Sequence, residues 1–227
     1  MKKGKLIVIE GTDCSGKETQ SKLLSKRLNE EGIPVFEMQF PKYETPTGKI
    51  IAGAYLGKKE YGESFFPEGA SHVPSKVASL YFAADRLYNV DLITNKLNDG
   101  INVILDRYVE SNMAHQGGKF ETEEERTKMI EFLDTLEYNL LELPRPDKVY
   151  FLHMPYENAK ILRENRKEKA DGHENDANHL KNAEKAYLEL AKKYDFITID
   201  CTRDDKIRTI EDINDELYEK VRKIING

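Results

Sequence analysis

The chain has 227 residues, enough for one domain with a substantial core, and its 35 lysines and arginines against 41 aspartates and glutamates give a formal net charge of −6. This acidic balance and the lack of a basic run argue against a nucleic-acid-binding protein. No segment is long enough for the apolar core of a signal peptide or for a membrane span, and the two cysteines lie far apart, so we expect a cytoplasmic protein without membrane contact.

Short apolar runs alternate with helical patterns along the chain. The runs are typical of buried parallel strands and cover residues 5–10, 34–40, 102–107, 148–154 and 196–200. The helical patterns cover residues 16–31, 74–99, 122–142, 156–168, 176–194 and 207–225. This alternation predicts a three-layer α/β fold, a five-stranded parallel sheet with helices on both faces, as a single domain over 1–227. Residues 57–73 are rich in glycine and charge, which predicts a long loop.

The stretch GTDCSGKET, residues 11–19, has the spacing of a phosphate-binding loop. It follows the first predicted strand and opens the first predicted helix, where backbone N–H groups can cradle phosphate oxygens. Gly11 and Gly16 allow the tight turn, and Lys17 can reach the terminal phosphates of a nucleotide. The candidate nucleotide-binding residues are Gly11, Thr12, Asp13, Cys14, Ser15, Gly16, Lys17, Glu18 and Thr19. The position therefore predicts a P-loop fold.

Glu18 occupies the position where a P-loop normally has serine or threonine, whose hydroxyl binds magnesium. A carboxylate can hold Mg²⁺ directly or through water. Alternatively, the side chain is solvated and leaves the metal to phosphates and water. Both alternatives remain open at the level of the sequence, and both keep the glycines and Lys17 available for nucleotide binding.

Asp106 and Arg107 end the third predicted strand. Ligands of open parallel sheets bind at the carboxyl ends of the strands, where an aspartate can order a magnesium-bound water and an arginine can bridge two phosphates. The candidate metal-binding residues are therefore Glu18 and Asp106. The alternative interpretation is a structural salt bridge at the end of the strand.

Several motifs together resemble the bacterial-type thymidylate kinases of the nucleoside monophosphate kinase group. They are GTDCSGKETQ (11–20), FPKY (40–43), YFAADR (81–86), DRYVESNMAHQG (106–117) and PRPDKVYFLHM (144–154). The resemblance implies phosphoryl transfer from Mg²⁺·ATP to dTMP, for dTTP synthesis, by a homodimer with contacts near 47–56 and 74–99. A kinase for another (deoxy)nucleotide or a deoxynucleoside, or a catalytically impaired nucleotide-binding module, remains an alternative.

The resemblance also implies roles for individual residues. Phe82 would stack on the thymine ring and Arg86 would donate to its O4 atom; their spacing of four puts both on one helix face. Asn112 would meet the base edge, and Asp13 would lie near the sugar 3′-hydroxyl. The remaining positions implied to contact the acceptor nucleotide are Phe40, Tyr43, Arg107, Ser111, His115 and Gln116.

Two further departures from the family pattern carry predictions. The phosphate loop contains no arginine, which favours a lid, at about 161–177, as the source of a catalytic arginine from Arg163 or Arg166; a solvated basic face is the alternative. His115 stands where the family usually has tyrosine, so we hypothesise weaker discrimination between deoxyribose and ribose. The predicted catalytic residues are Lys17, Asp106, Arg107, Arg163 and Arg166.

Overall fold

A parallel sheet forms the centre of the molecule. The computed structural model describes residues 2–12, 14–164 and 176–226. Its strands are β1 Leu6–Gly11, β2 Val35–Gln39, β3 Asn102–Asp106, β4 Lys148–His153 and β5 Ile197–Asp200. Across the described residues these five strands pair in the order β2–β3–β1–β4–β5, and every neighbouring pair is parallel. Because β1 and β3 are central, all of their residues are buried, as their near-continuous apolar sequences predict.

Helices cover both faces of this sheet. The α-helices of the described ranges are α1 Lys17–Glu30, α2 Pro46–Ile50, α3 Ser75–Asn98, α4 Val109–Gly117, α5 Glu123–Leu133, α6 Tyr156–Glu164, α7 Ala177–Lys193 and α8 Ile210–Asn226. A π-helical turn, Ile51–Tyr55, extends α2, and a π-helical segment, Asp134–Leu140, extends α5. A short 3₁₀ turn covers Ala70–His72. None of the helices in the described ranges combines the length and the apolar character that crossing a membrane requires.

Two hydrophobic clusters lie on opposite faces of the sheet. Because side chains alternate along a strand, Val8 of β1 faces one cluster and Ile9 faces the other. Helices α4, α5 and α7 pack on the Val8 side, whereas α1 and α8 pack on the Ile9 side. The predicted three-layer α/β architecture is therefore confirmed.

The structure differs from the predicted elements at three places. The sequence pattern does not predict α4, because all of its residues except His115 are buried and a helix covered on every side has no amphipathic stripe. The predicted helix over 122–142 is α-helical only to Leu133 before the π-helical segment follows. The last helix begins at Ile210 because two short antiparallel strands, β6 Thr202–Arg203 and β7 Lys206–Ile207, precede it.

Candidate active site

The phosphate loop joins β1 to α1 and is shaped by its backbone. Gly16 has a φ of +83° and Cys14 a φ of +60°, so the chain turns twice through the left-handed region within three residues. Among the described residues no side chain caps the start of α1, which suits the binding of an anion by the first-turn N–H groups of the helix. Lys17 is 6% exposed, and its Nζ donates to the carbonyl oxygen of Thr12 at 2.8 Å. The ammonium group is thus held inside the loop.

Packing around the first glycine supports the same interpretation. A Cβ atom on Gly11 would lie 2.5 Å from Ser15 Oγ and 2.6 Å from the Leu152 carbonyl oxygen, so only glycine fits between the loop and β4. Ser15 Oγ is buried and has no hydrogen-bond partner within the described part of the chain. An unsatisfied buried hydroxyl beside a buried lysine suits a ligand with phosphate oxygens. The loop therefore fits the phosphate groups of a nucleotide.

Glu18 is exposed in the first turn of α1, and its charge acts on Asp106 at the sheet edge. Its carboxylate pairs with Lys22, one helical turn on, at 2.5 Å, and both side chains are more than half exposed. The described residues contain no group of three or more His, Cys, Asp or Glu side chains arranged to hold a metal ion. The geometry supports the solvated alternative for Glu18.

Asp106 and Arg107 lie at the same sheet edge as the phosphate loop. In the β1–β3 register Asp106 is opposite Ile9, and the backbone N–H of Arg107 donates to the Ile9 carbonyl oxygen at 3.1 Å. Burial raises the pKa of Asp106 to about 6, although the nearby charges of Lys17 and Arg107 act to lower it. Its Oδ1 atom is buried and has no hydrogen-bond partner in ranges 2–12, 14–164 and 176–226. Asp106 therefore fits a role as acceptor for a magnesium-bound water.

Arg107 adopts a backbone conformation that is uncommon for a non-glycine residue, with φ of +67°. The turn directs its side chain along α4, where Nη1 lies 3.3 Å from Ser111 Oγ and 3.4 Å from His115 Nε2. The ring of His115 stacks on the ring of His179 in α7, and His115 Nδ1 lies 3.2 Å from His179 Nε2. His179 is a site residue that the sequence does not indicate, because it lies far from His115 along the chain.

Glu10 of β1 is fully buried and fixes the start of α4. Its carboxylate accepts hydrogen bonds from the backbone N–H groups of Tyr108 and Ser111 at 2.8 and 3.0 Å. It also accepts from Ser111 Oγ at 2.7 Å and from the hydroxyl of Tyr187 at 2.8 Å. The glutamate that interrupts the first apolar strand is the sequence signal for this role. Ser111 thus holds the start of α4 and contacts Arg107.

The predicted base-reading residue Arg86 is buried, with 2% exposure, and its guanidinium is held by Glu137. Arg86 Nε and Nη2 both donate to the Glu137 carboxylate, the latter at 2.7 Å, and Nη1 lies 3.3 Å from the Tyr108 carbonyl oxygen. The amide Nδ2 of Asn112 donates to the same carboxylate at 2.9 Å. Glu137 is a second residue that sequence reasoning missed, since it lies in the π-helical segment, far along the chain from both partners.

Two buried amides of α4 retain unsatisfied atoms. Asn112 Nδ2 also donates to the Ser79 carbonyl oxygen at 3.2 Å, whereas its Oδ1 has no partner among the described residues. Gln116, one turn on, has neither an acceptor for Nε2 nor a donor for Oε1 in that same set. Buried polar atoms are nearly always satisfied in native proteins, so these atoms indicate a place for a polar ligand.

Tyr55, which precedes the loop over 57–73, links this loop to the predicted stacking residue Phe82. Tyr55 lies edge-on to the Phe82 ring at 5.5 Å and edge-on to the Phe66 ring at 5.9 Å. The Tyr55 hydroxyl donates to the Ala70 carbonyl oxygen at 2.9 Å, which ties the loop to this aromatic cluster. Tyr55 and the loop therefore contribute to a separate small hydrophobic cluster, against which Phe82 packs.

The loop also contacts Tyr43, which the resemblance assigns to the acceptor nucleotide. Lys58 Nζ lies 4.4 Å from the centroid of the Tyr43 ring, and the Tyr61 ring lies 6.1 Å from it. Phe40, by contrast, is 4% exposed and packs in the core against Tyr108 at 6.0 Å. Its side chain is thus a support for the site.

Of the two predicted lid arginines, the structure describes Arg163. It lies near the end of α6, with its guanidinium 5.6 Å from the Tyr156 ring centroid, and it lines a small pocket together with Thr12 and Glu184. This arginine therefore lies beside the phosphate loop. Asp13, Arg166 and much of the predicted lid lie outside the described residues, so their roles remain predictions.

Comparison with known proteins identifies the group to which this site belongs. A family model described as "Thymidylate kinase" matches residues 9–213, which is most of the chain. The chain belongs to the thymidylate kinase family. The resemblance of the motifs to thymidylate kinases, and with it the prediction that the chain is a kinase, is confirmed.

Individual members of the thymidylate kinase family are similar over nearly the whole length. The chain is 32% identical to the thymidylate kinase of Plasmodium falciparum over 223 residues, which cover 98% of this chain and 92% of that protein. It is also 32% identical to the probable thymidylate kinase of Methanocaldococcus jannaschii, with 96% of each chain covered. The solved structure of thymidylate kinase from Candida albicans superposes with a TM-score of 0.73 at 28% identity, covering 97% of this chain and 92% of that one.

Proposed function

We propose that this chain transfers the γ-phosphoryl group of ATP to dTMP in the presence of Mg²⁺, giving ADP and dTDP for dTTP synthesis. The observation that carries the proposal is the meeting of two sites at one sheet edge. The phosphate loop with buried Lys17 lies beside Asp106 and Arg107, and α4 with its unsatisfied amides continues from that pair. Family membership supports the same activity.

The reaction needs charge neutralisation and positioning more than acid–base chemistry. An oxygen of the dTMP phosphate attacks the γ-phosphorus while the bond between that phosphorus and the ADP oxygen breaks. The attacking dTMP oxygen is already deprotonated, so it needs no general base. Lys17 would neutralise the β- and γ-phosphates, Arg107 would bridge the acceptor and the transferred phosphoryl group, and Arg163 would approach from the lid. Arg166 is the second lid candidate from the sequence.

Magnesium, when bound, neutralises charge on the β- and γ-phosphates. Asp106 would hold it through a bound water, since its carboxylate is buried with an unsatisfied oxygen near Lys17. The exposed pairing of Glu18 with Lys22 supports a site in which Glu18 is not a direct ligand.

We also propose a cytoplasmic homodimer, with ATP and dTMP as small-molecule partners and the bacterial type as the family branch. The support for a dimer is a row of exposed apolar side chains along α3. They are Val77, Leu80, Leu87, Tyr88 and Leu92, each more than 40% exposed. Large apolar patches of this kind often mark an interface between subunits. Sedimentation at the mass of one chain would rule the dimer out.

The function is tested by measuring ADP release with Mg²⁺·ATP and dTMP, dUMP, UMP, CMP or dGMP in turn. We expect strong turnover with dTMP. Turnover restricted to another nucleotide would move the specificity within the same mechanism. A folded protein that binds ATP yet phosphorylates none of them would be a binding module.

The hypothesis that His115 weakens discrimination between deoxyribose and ribose has its own test. The preference for dTMP over ribo-TMP is measured in the protein and in His115→Tyr. Equal preferences in the two proteins would contradict the hypothesis.

A further inference from the structure

Glu137 joins two segments that are proposed to contact the base, and it belongs to neither. It lies in the π-helical segment Asp134–Leu140, a geometry that often occurs at functional sites, and its side chain is fully buried. Its carboxylate accepts two hydrogen bonds from Arg86 of α3 and one from Asn112 of α4. A single carboxylate therefore fixes the positions of both groups.

The bond to Glu137 decides which way the Asn112 amide faces. The amide lies between the Glu137 carboxylate and the Ser79 carbonyl oxygen, and both of these accept hydrogen bonds but cannot donate them. Only the NH₂ group can face this pair, so Oδ1 must point the other way. That oxygen is buried and has no donor among the described residues.

An outward-facing acceptor has a chemical consequence for the base. Thymine and uracil carry a ring N3–H group, which donates to such an oxygen, whereas cytosine has an unprotonated N3 at that position. An amide that was free to turn would serve both kinds of base, since its NH₂ group could donate to the cytosine nitrogen. A site that leaves a buried acceptor unpaired rejects the wrong ligand strongly.

We infer that Glu137 is a positioning residue that makes the acceptor site select bases with an N3–H group over cytosine. It does so by locking the Asn112 amide; the same carboxylate also holds the Arg86 guanidinium. This inference rests on the proposed function, because it takes Arg86 and Asn112 to be the residues that meet the base.

The test compares kcat/KM for dTMP and for dCMP in the protein and in Glu137→Gln, which keeps the shape but adds an NH₂ group. We expect the dTMP/dCMP preference to fall by roughly tenfold or more, because the introduced amide can donate to Asn112 Oδ1 and release the lock. The matched control is Glu110→Gln. Glu110 is a buried carboxylate that bonds Tyr138 instead of the base-reading groups, and its variant should keep the preference.

A double-mutant cycle separates positioning from general damage to the fold. In an Asn112→Ala background, Glu137→Gln should produce little further change in the dTMP/dCMP preference. If Glu137→Gln does not fold, Asn112→Ala alone must still lower the preference. An unchanged preference in the folded Glu137→Gln variant, or in Asn112→Ala, overturns the inference. Failure of the unaltered protein to phosphorylate dTMP overturns the proposed function instead.

Discussion

The donor side and the base side of this site are built in different ways. On the donor side, one continuous stretch supplies the nucleotide-binding groups, and its shape comes from backbone turns at Cys14 and Gly16. On the base side, the polar groups come from α3, α4 and the π-helical segment, and Glu137 links them by side-chain hydrogen bonds. The donor side therefore depends on local conformation, whereas the base side depends on a network in which each residue affects the others.

This difference leads to distinct expectations for substitutions. A change on the donor side should alter the rate of transfer without changing which base is preferred. A change in the Glu137 network should alter the preference itself. Three substitutions sharpen this contrast, from the largest expected effect to the smallest: Lys17 and Glu18 lie on the donor side, and Asp106 lies where the two sides meet.

Lys17→Ala should lower kcat/KM for dTMP by roughly 100-fold or more, because the charge that neutralises the terminal phosphates is lost. The dTMP/dCMP preference should stay the same, since Lys17 belongs to the donor side. The far-UV circular dichroism spectrum should match that of the unaltered protein. Lys22→Ala, on the exposed face of the same helix, is the matched control and should be nearly fully active. A Lys17→Ala variant with near-normal kcat/KM would remove the phosphate loop from the mechanism.

Asp106→Asn should stabilise the ligand-free protein at neutral pH. Burial raises the pKa of this carboxyl to about 6 from an ordinary 3.8, so the folded state binds the proton more tightly than the unfolded state. The contribution of Asp106 to stability is therefore greatest below pH 4 and is lost as the pH rises through 6. Asparagine does not titrate, so the variant does not lose stability in this way. Its free energy of unfolding should therefore exceed that of the unaltered protein by about 3 kcal/mol at about pH 7.

Urea unfolding of both proteins at several pH values between about 4 and 8, with EDTA present, measures this difference. An advantage that is constant with pH would show that the Asp106 carboxyl does not titrate in this range. Asp106 lies where the phosphate loop and α4 meet, so this measurement bears on both the donor side and the base side of the site.

Glu18→Ala should change kcat/KM by less than about twofold. The carboxylate is exposed and pairs with Lys22, and such an exposed pair on a helix contributes little to stability. Titration of activity with Mg²⁺ measures the effect directly. An increase of tenfold or more in the Mg²⁺ concentration needed for half-maximal activity would show that Glu18 does hold the metal.

The sequence predicts some parts of this molecule much better than others. The strands and the phosphate loop could be predicted because apolar runs and glycine spacing are local signals. Helix α4 could not, because it is buried on nearly every side, and the hydrogen-bond partners of Glu10 and Glu137 could not, because they lie on distant segments. The resemblance indicated Arg86 and Asn112, yet gave no account of the carboxylate between them.

The sequence by itself determined the α/β order of elements, the phosphate loop and the family. Tertiary structure decided three further features: that Glu18 is exposed and pairs with Lys22, that Tyr55 links Phe82 to the loop over 57–73, and that the Asn112 amide turns its oxygen away from Glu137. The physical reason is one of range. Backbone turns and hydrophobic periodicity act between near neighbours, whereas the direction of a buried hydrogen bond depends on groups that only the folded chain brings together.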